Sequence, residues 1–214
     1  MDKADFKSAI ERFRQEGYDM WPDRVHIQIP DAKEHLLGGL RYFVGEKAQW
    51  LPCYDEIADW LTDNQGKGLL CVGEWGVGKT LICCKILPII IRTYARKVMP
   101  AYPAIDINSH AREVMSCKLA VIDDIGTEPE AVDFGEKHLF FSEIVANAER
   151  KSNLLVITTN LRINVRRDKD GSEIINQNTG KPYPSIEAIY GMRTLDRLKA
   201  ITKMVVFRGK SFRK

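Results

Sequence analysis

Apolar residues are spaced in two different ways along this 214-residue chain, and the change comes at about Gly68. Before it the spacing is helical. Phe6, Ile10 and Phe13 recur within Asp5–Glu16, and Gly17 ends that stretch. Leu36, Leu37, Leu40 and Phe43 predict a second helix, capped by Asp31. Ile57, Trp60 and Leu61 predict a third over Tyr54–Thr62, broken at Asn64-Gln65-Gly66. Between the first two helices, Arg24–Ile29 alternates as a short strand does and stops at Pro30.

After Gly68 short apolar runs take over: Leu69–Val72, Ala104–Ile107, Leu119–Ile122, Leu154–Thr158 and Met204–Phe207. Each is nearly continuous rather than alternating, as in strands buried on both faces of a parallel sheet. Helical stretches lie between them, so the pattern predicts an α/β core with crossover helices. Pro88 falls within the first of those helices and is expected to kink or end it. The predicted organisation is an N-terminal helical extension over residues 1–63 and a core over 64–214.

Composition narrows the class without naming a function. Apolar residues make up 44% and charged residues 29%, which excludes a fibre, a disordered chain and a small disulfide scaffold. The net charge of +3 does not by itself announce a nucleic-acid partner. The opening residues MDKADFKSAIERF mix charges and hold no apolar run, so no signal peptide is expected. The run Ile86–Ile91 is far shorter than the ~20 residues a membrane span needs, so no membrane association is expected. The five cysteines form no C-x-x-C pair, which argues against zinc and for reduced thiols in a cytoplasmic protein.

The strongest chemical signal is Gly73-Glu74-Trp75-Gly76-Val77-Gly78-Lys79-Thr80. It matches G-x-x-x-x-G-K-[ST] and lies between a predicted strand and a predicted helix. Glycines let such a loop curl until its N–H groups face phosphate oxygens, and the positive end of the next helix points the same way. Gly73, Gly76, Val77, Gly78, Lys79, Thr80 and Leu81 are the expected nucleotide-binding residues. Lys79 is expected to neutralise the β- and γ-phosphates of ATP, and the Thr80 hydroxyl to ligate Mg²⁺. Trp75 is expected either to lean on a base or a partner or to pack on its own domain.

Two more strand ends carry polar groups. Leu119–Ile122 runs into Asp123 and Asp124, and in a parallel sheet the strand C-termini face the ligand crevice. Asp123 is assigned to Mg²⁺ and Asp124 to orienting and deprotonating the attacking water. Leu154–Thr159 runs into Asn160, expected to hydrogen-bond the γ-phosphate or that water. Either Asp could merely cap a turn, and Asn is a common turn residue in its own right.

Taken in order, GEWGVGKT, LAVIDDIG, LLVITTN, GMRTLDRL and the terminal FRGKSFRK resemble the DnaC/IstB group of AAA+ ATPases, which comprises replicative helicase loaders and transposition helpers. The resemblance covers roughly Tyr54 to Lys214. It implies an AAA+ core with a five-stranded parallel sheet flanked by helices, and ATP at a subunit boundary. It also implies that Arg193 or Arg197, in Gly191–Leu198, reaches the γ-phosphate of a neighbouring subunit, giving an ATP-dependent homo-oligomer. The implied task is slow, Mg²⁺-dependent ATP hydrolysis in DNA replication, with a replicative helicase as partner. A transposition helper acting with a transposase, a P-loop small-molecule kinase and an ATP-binding module without turnover are the alternatives.

The chain departs from that group at two places. Only 38 residues separate Thr80 from Leu119, and Asn108–Ser116 leaves room for about two helical turns where helicase loaders carry a DNA-contacting helical element. Conversely, Arg166–Pro184 is additional, and its Asp170-Gly171 and Thr179-Gly180 turn signals predict an inserted β-hairpin. Residues 162–214 hold 13 Lys and Arg against 5 Asp and Glu, a local +8 that leaves −5 for the rest. Such asymmetry suits a polyanion-facing surface or plain solvated charge. The candidate DNA contacts are Arg162, Arg166, Arg167 and Lys169, with Lys210, Arg213 and Lys214 at the tail.

Overall fold

The structure is a computed structural model, and it describes residues 2–18, 23–129, 131–133, 136–209 and 211–212. Five parallel strands form one sheet: β1 (Gly68–Gly73), β2 (Ala101–Pro103), β3 (Leu119–Ile125), β6 (Leu154–Thr159) and β9 (Thr202–Phe207). Their order is β2-β3-β6-β1-β9. The sheet matches the α/β core expected from the apolar runs, and its five parallel strands match the sheet that the resemblance implied. β1 is central, with β6 on one side and β9 on the other, so the loop after β1 opens between strand ends.

Alternate residues of the inner strands β1, β3 and β6 feed two cores. Leu69, Cys71, Val121 and Val156 face helices α2 (Ala32–Val44), α3 (Pro52–Thr62) and α4 (Leu87–Tyr94). Leu70, Ala120, Ile122, Leu155 and Ile157 face α5 (Ile107–Ser116), α6 (Phe140–Lys151) and α7 (Ile186–Ile201). Covering both faces is what makes the runs of β1, β3 and β6 nearly continuously apolar. The edge strand β9 instead leaves Met204 and Val206 exposed, and so is not buried on both faces as its apolar run predicted.

The N-terminal elements divide into two kinds. α1 (Lys3–Gln15) has a capping box between Asp2 and Asp5 but buries no residue. α2 and α3 instead bury Leu36, Leu40, Ile57, Trp60 and Leu61 in the same core as the sheet. Asp31 precedes α2 in a left-handed conformation and its side chain makes no capping bond, unlike the expected cap. Arg24–Ile29 is extended but joins no sheet. Ile27 and Ile29 are fully buried, as alternation requires, yet Ile29 N–H bonds to Leu61 O and Ile27 N–H to Asn64 Oδ1. The end of α3 takes the place of a partner strand.

One further expectation is corrected and a second is narrowed. Ala104–Ile107 is not a strand. β2 ends at Pro103, a 3₁₀ turn covers Ala104–Asp106, and α5 begins at Ile107. Ala104 and Ile107 are buried while Ile105 is exposed, which is the three-residue spacing of a helical face. Pro88 marks a change in the helix rather than its end. A π-helical stretch, Leu81–Ile86, precedes α4, with Leu87 N–H bonding to Ile82 O. That wider turn delivers Pro88 to the first turn of α4, where a missing N–H costs little.

Small hairpins decorate the sheet. β4 (Ala131–Asp133) pairs antiparallel with β5 (Glu136–His138). Within the 166–184 stretch, β7 (Ile175–Asn176) pairs antiparallel with β8 (Lys181–Pro182), and Arg167 bridges to Glu173. The inserted hairpin is therefore present, but only two residues long on each side.

Candidate functional site

The loop Gly73–Thr80 leaves the end of β1 and feeds the π-helical stretch at Leu81. Gly76 and Gly78 both have positive φ, so the backbone curls as the motif requires. Val77 packs its side chain into the core, leaving only its backbone for a ligand. Lys79 is buried, and its Nζ donates to Gly73 O at 2.9 Å, to Glu74 O at 2.8 Å and to Asn160 Oδ1 at 2.8 Å. Burial lowers the Lys79 pKa, opposed by the nearby charges of Asp124 and Asp123.

The two aspartates should point to opposite faces of β3, because strand side chains alternate. They do not. The pairing of β3 with β6 slips between Ile122 and Ile125, and Asp124 has φ +65°. This bulge turns both carboxylates toward the same crevice. Asp123 Oδ1 accepts from Thr80 Oγ1 at 3.2 Å and from Thr158 Oγ1 at 2.6 Å. Asp124 Oδ1 accepts from Asn160 Nδ2. Asn160 thus accepts a hydrogen bond from Lys79 and donates one to Asp124.

Thr158 was not a candidate from sequence, and it holds the bulge together. Its hydroxyl donates to Asp123 and accepts from the Asp124 N–H at 2.8 Å. It sits two residues before Asn160 on β6, so side-chain alternation points both toward the crevice. That register could have singled it out.

Thr80 Oγ1 and the Asp123 carboxylate are hard oxygen donors at hydrogen-bond distance, a set that suits Mg²⁺. Among the described residues no group of three His, Cys, Asp or Glu is placed to hold a metal ion. Mg²⁺ does not need one when phosphates supply further oxygens.

A cavity of about 640 Å³ opens over the loop. Lys79, Thr80, Asp124, Thr158 and Asn160 line one part, and Leu40, Val44, Ala48 and Tyr54 another. Burial pushes the Tyr54 hydroxyl up to about 12, so it stays protonated. Trp75 also lines the cavity and is 72% exposed, so it is not packed on its own domain. Leu81 lines it too, whereas Gly73 contributes only the carbonyl that Lys79 uses.

Neither arginine candidate lines this cavity. Arg193 is exposed on α7, and Arg197 pairs with Glu149 of α6 at 3.0 Å. α7 is broken at Gly191, whose φ of 80° and ψ of 162° are not helical. Of the candidate DNA contacts, Arg162 and Lys169 are exposed. Arg166 stacks over Tyr183 at 4.7 Å, and Arg167 is ion-paired with Glu187 and, at 3.8 Å, with Glu173. Arg167 is thus committed within its own chain. Lys210, Arg213 and Lys214 lie outside the described residues.

The strand order, the loop after β1 and the polar ends of β3 and β6 define an α/β phosphate-loop core. No protein-family model matches the chain, and no curated protein does. Among solved structures it is similar to one described as the DnaC helicase loader, at 17% identity and TM-score 0.47, covering 85% of this chain and 93% of that one. It is also similar to one described as DnaI, at 15% identity and TM-score 0.47, covering 86% and 85%. A third, described as the replication initiator DnaA bound to AMPPCP and single-stranded DNA, matches at 12% identity and TM-score 0.42, covering 67% of this chain and 41% of that one. No described helix is long and apolar enough to cross a membrane.

Proposed function

We propose that this protein binds ATP with Mg²⁺ in the Gly73–Thr80 cavity and hydrolyses it slowly, as a switch. The observation that carries this reading is one continuous hydrogen-bonded chain, Lys79 to Asn160 to Asp124, beside Thr80 and Asp123, at the common end of β1, β3 and β6. Phosphoryl transfer needs a positive charge on the phosphates, oxygen ligands for a metal and a group that positions water, and these residues supply all three. Thr80 and Asp123 would hold Mg²⁺, which supplies charge neutralisation when bound. Lys79 turns from its loop carbonyls to the phosphate oxygens. Asp124 takes the proton of the attacking water, and Asn160 holds both in register.

In the cell this activity would serve DNA replication, as a cytoplasmic helicase-loader-like ATPase. The motif series that resembles the DnaC/IstB group supports that choice. Arg193 or Arg197 would act on the nucleotide of a neighbouring copy, so ATP would favour head-to-tail assembly. The basic C-terminal quarter would face DNA through Arg162, Arg166 and the tail, with affinity falling steeply as salt rises.

Phosphate release by the wild type and Lys79→Ala tests the chemistry. Equal release from the two would refute it. Pull-down with a replicative helicase against a transposase tests the task, and capture of the transposase alone would overturn the replication assignment.

A further inference from the structure

β9 runs parallel to β1 and pairs Phe207 with Gly73, so the chain leaves the sheet beside the start of the phosphate loop. The residues that follow return to that loop. Phe212 donates its N–H to Gly76 O at 2.9 Å. Ser211 lies so near that a Cβ on Gly76 would fall 2.0 Å from its Oγ. With φ +78°, Gly76 needs glycine for its backbone, and the tail also fills the space beside it. A loop that turns its N–H groups inward leaves carbonyls pointing outward, and the tail satisfies one of them.

Ser211 and Phe212 then line the same cavity as Lys79 and Thr80. The Phe212 ring is 51% exposed, so it is not buried in a core of its own. The neighbouring lining is apolar, from Leu40, Val44 and Tyr54. Phosphates have no use for an apolar wall, but a nucleobase does.

We propose that Ser211-Phe212 closes a nucleobase subsite, with the Phe212 ring against the face of the base and the α2 side chains as the opposite wall. This rests on the nucleotide reading above and assigns its base recognition to the C-terminal tail. Every base has a π-face, so stacking of this kind holds a nucleotide without reading its edge.

Calorimetric titration with Mg·ATP and with Mg·tripolyphosphate, which has phosphates but no base, tests it. Phe212→Ala should weaken Mg·ATP binding about tenfold and change tripolyphosphate binding less than about twofold, since stacking serves the base alone. Phe212→Tyr should keep the ATP affinity. The melting temperature of nucleotide-free Phe212→Ala should equal that of the wild type, because the ring is half exposed. Equal weakening of both ligands would overturn the proposal, since the tail would then only brace the loop. Unchanged ATP affinity in Phe212→Ala would overturn it too. Lys79→Ala separates phosphate binding from base recognition: it should weaken both ligands, and no effect on either would refute nucleotide binding at this loop whatever Phe212 does.

Discussion

Lys79 and Asn160 stand 81 positions apart in the chain, and Lys79 Nζ lies 2.8 Å from Asn160 Oδ1. The bond joins the far end of the Gly73–Thr80 loop to the residue just after β6 across a buried ammonium. It also fixes the Asn160 amide, because an oxygen turned to Lys79 leaves the nitrogen to donate to Asp124. The candidate water-positioning groups are thereby oriented before any ligand arrives, which is the preorganisation catalysis requires.

Lys79→Ala should lower phosphate release by roughly 10²–10³-fold, the usual loss when one preorganised donor to a developing charge is removed. Steady-state phosphate release at saturating ATP measures it. A smaller loss than tenfold would mean that Lys79 does not touch the transferring phosphoryl group.

Asp124→Asn and Asn160→Ala should lower kcat while leaving ATP affinity nearly unchanged, because both groups act on water rather than on the bound phosphates. Single-turnover hydrolysis beside equilibrium binding separates the two quantities. If affinity falls in parallel with turnover, these residues are binding groups.

Thr158→Val keeps the side-chain shape and removes the hydroxyl that bridges Asp123 to the Asp124 N–H. Thr158 is 1% exposed, so water cannot replace it. The stability loss should be about 1–3 kcal/mol, the cost of a buried polar group left without its partner. Turnover should fall as well, since the bulge that aims both carboxylates loosens, and Thr158→Ser should restore both. Urea unfolding and phosphate release on the three proteins check this.

Gly191→Ala should destabilise the protein by about 1–3 kcal/mol, because φ 80° with ψ 162° is open to glycine and strained for alanine. Nothing lies within 4 Å of the added Cβ, so crowding does not contribute. The same substitution favours a straight α7, which would displace Arg193. ATP-dependent self-association, followed by light scattering, should weaken more than ATP binding does.

Glu187 anchors the 166–184 insertion through Arg167 and the Val165 N–H. The Arg167 guanidinium, with that N–H, holds the Glu187 carboxyl below its ordinary value of 4.5. A carboxyl depressed in the folded state contributes stability that is fully present above pH 4.5 and is lost as pH falls through the depressed value. Glu187→Gln should therefore lower the urea midpoint at pH 7, and its difference from the wild type should close below pH 4.5. A gap that does not change with pH would place the effect in packing rather than charge.

The inner strands were legible because β1, β3 and β6 are buried on both faces and so carry near-continuous apolar runs, while β9 carries such a run although Met204 and Val206 are exposed. β2 was the exception: at three residues it is too short for a run, and the apolar residues after it belong to a helical face. The phosphate loop was legible because its curl demands glycines at set spacings. Thr158 and Phe212 were not, since a threonine in a strand and a phenylalanine in a tail satisfy any number of local environments.

From residues alone came the α/β core, the loop and the acidic and amide strand ends, because periodicity and backbone restriction are written locally. Only the tertiary structure decided that Asp123 and Asp124 share one crevice, for that depends on a slipped pairing with β6. It alone decided that Arg167 turns to Glu187 and that the tail returns to Gly76. Such contacts join distant parts of the chain, and no local pattern encodes which partner a charge or a carbonyl will find.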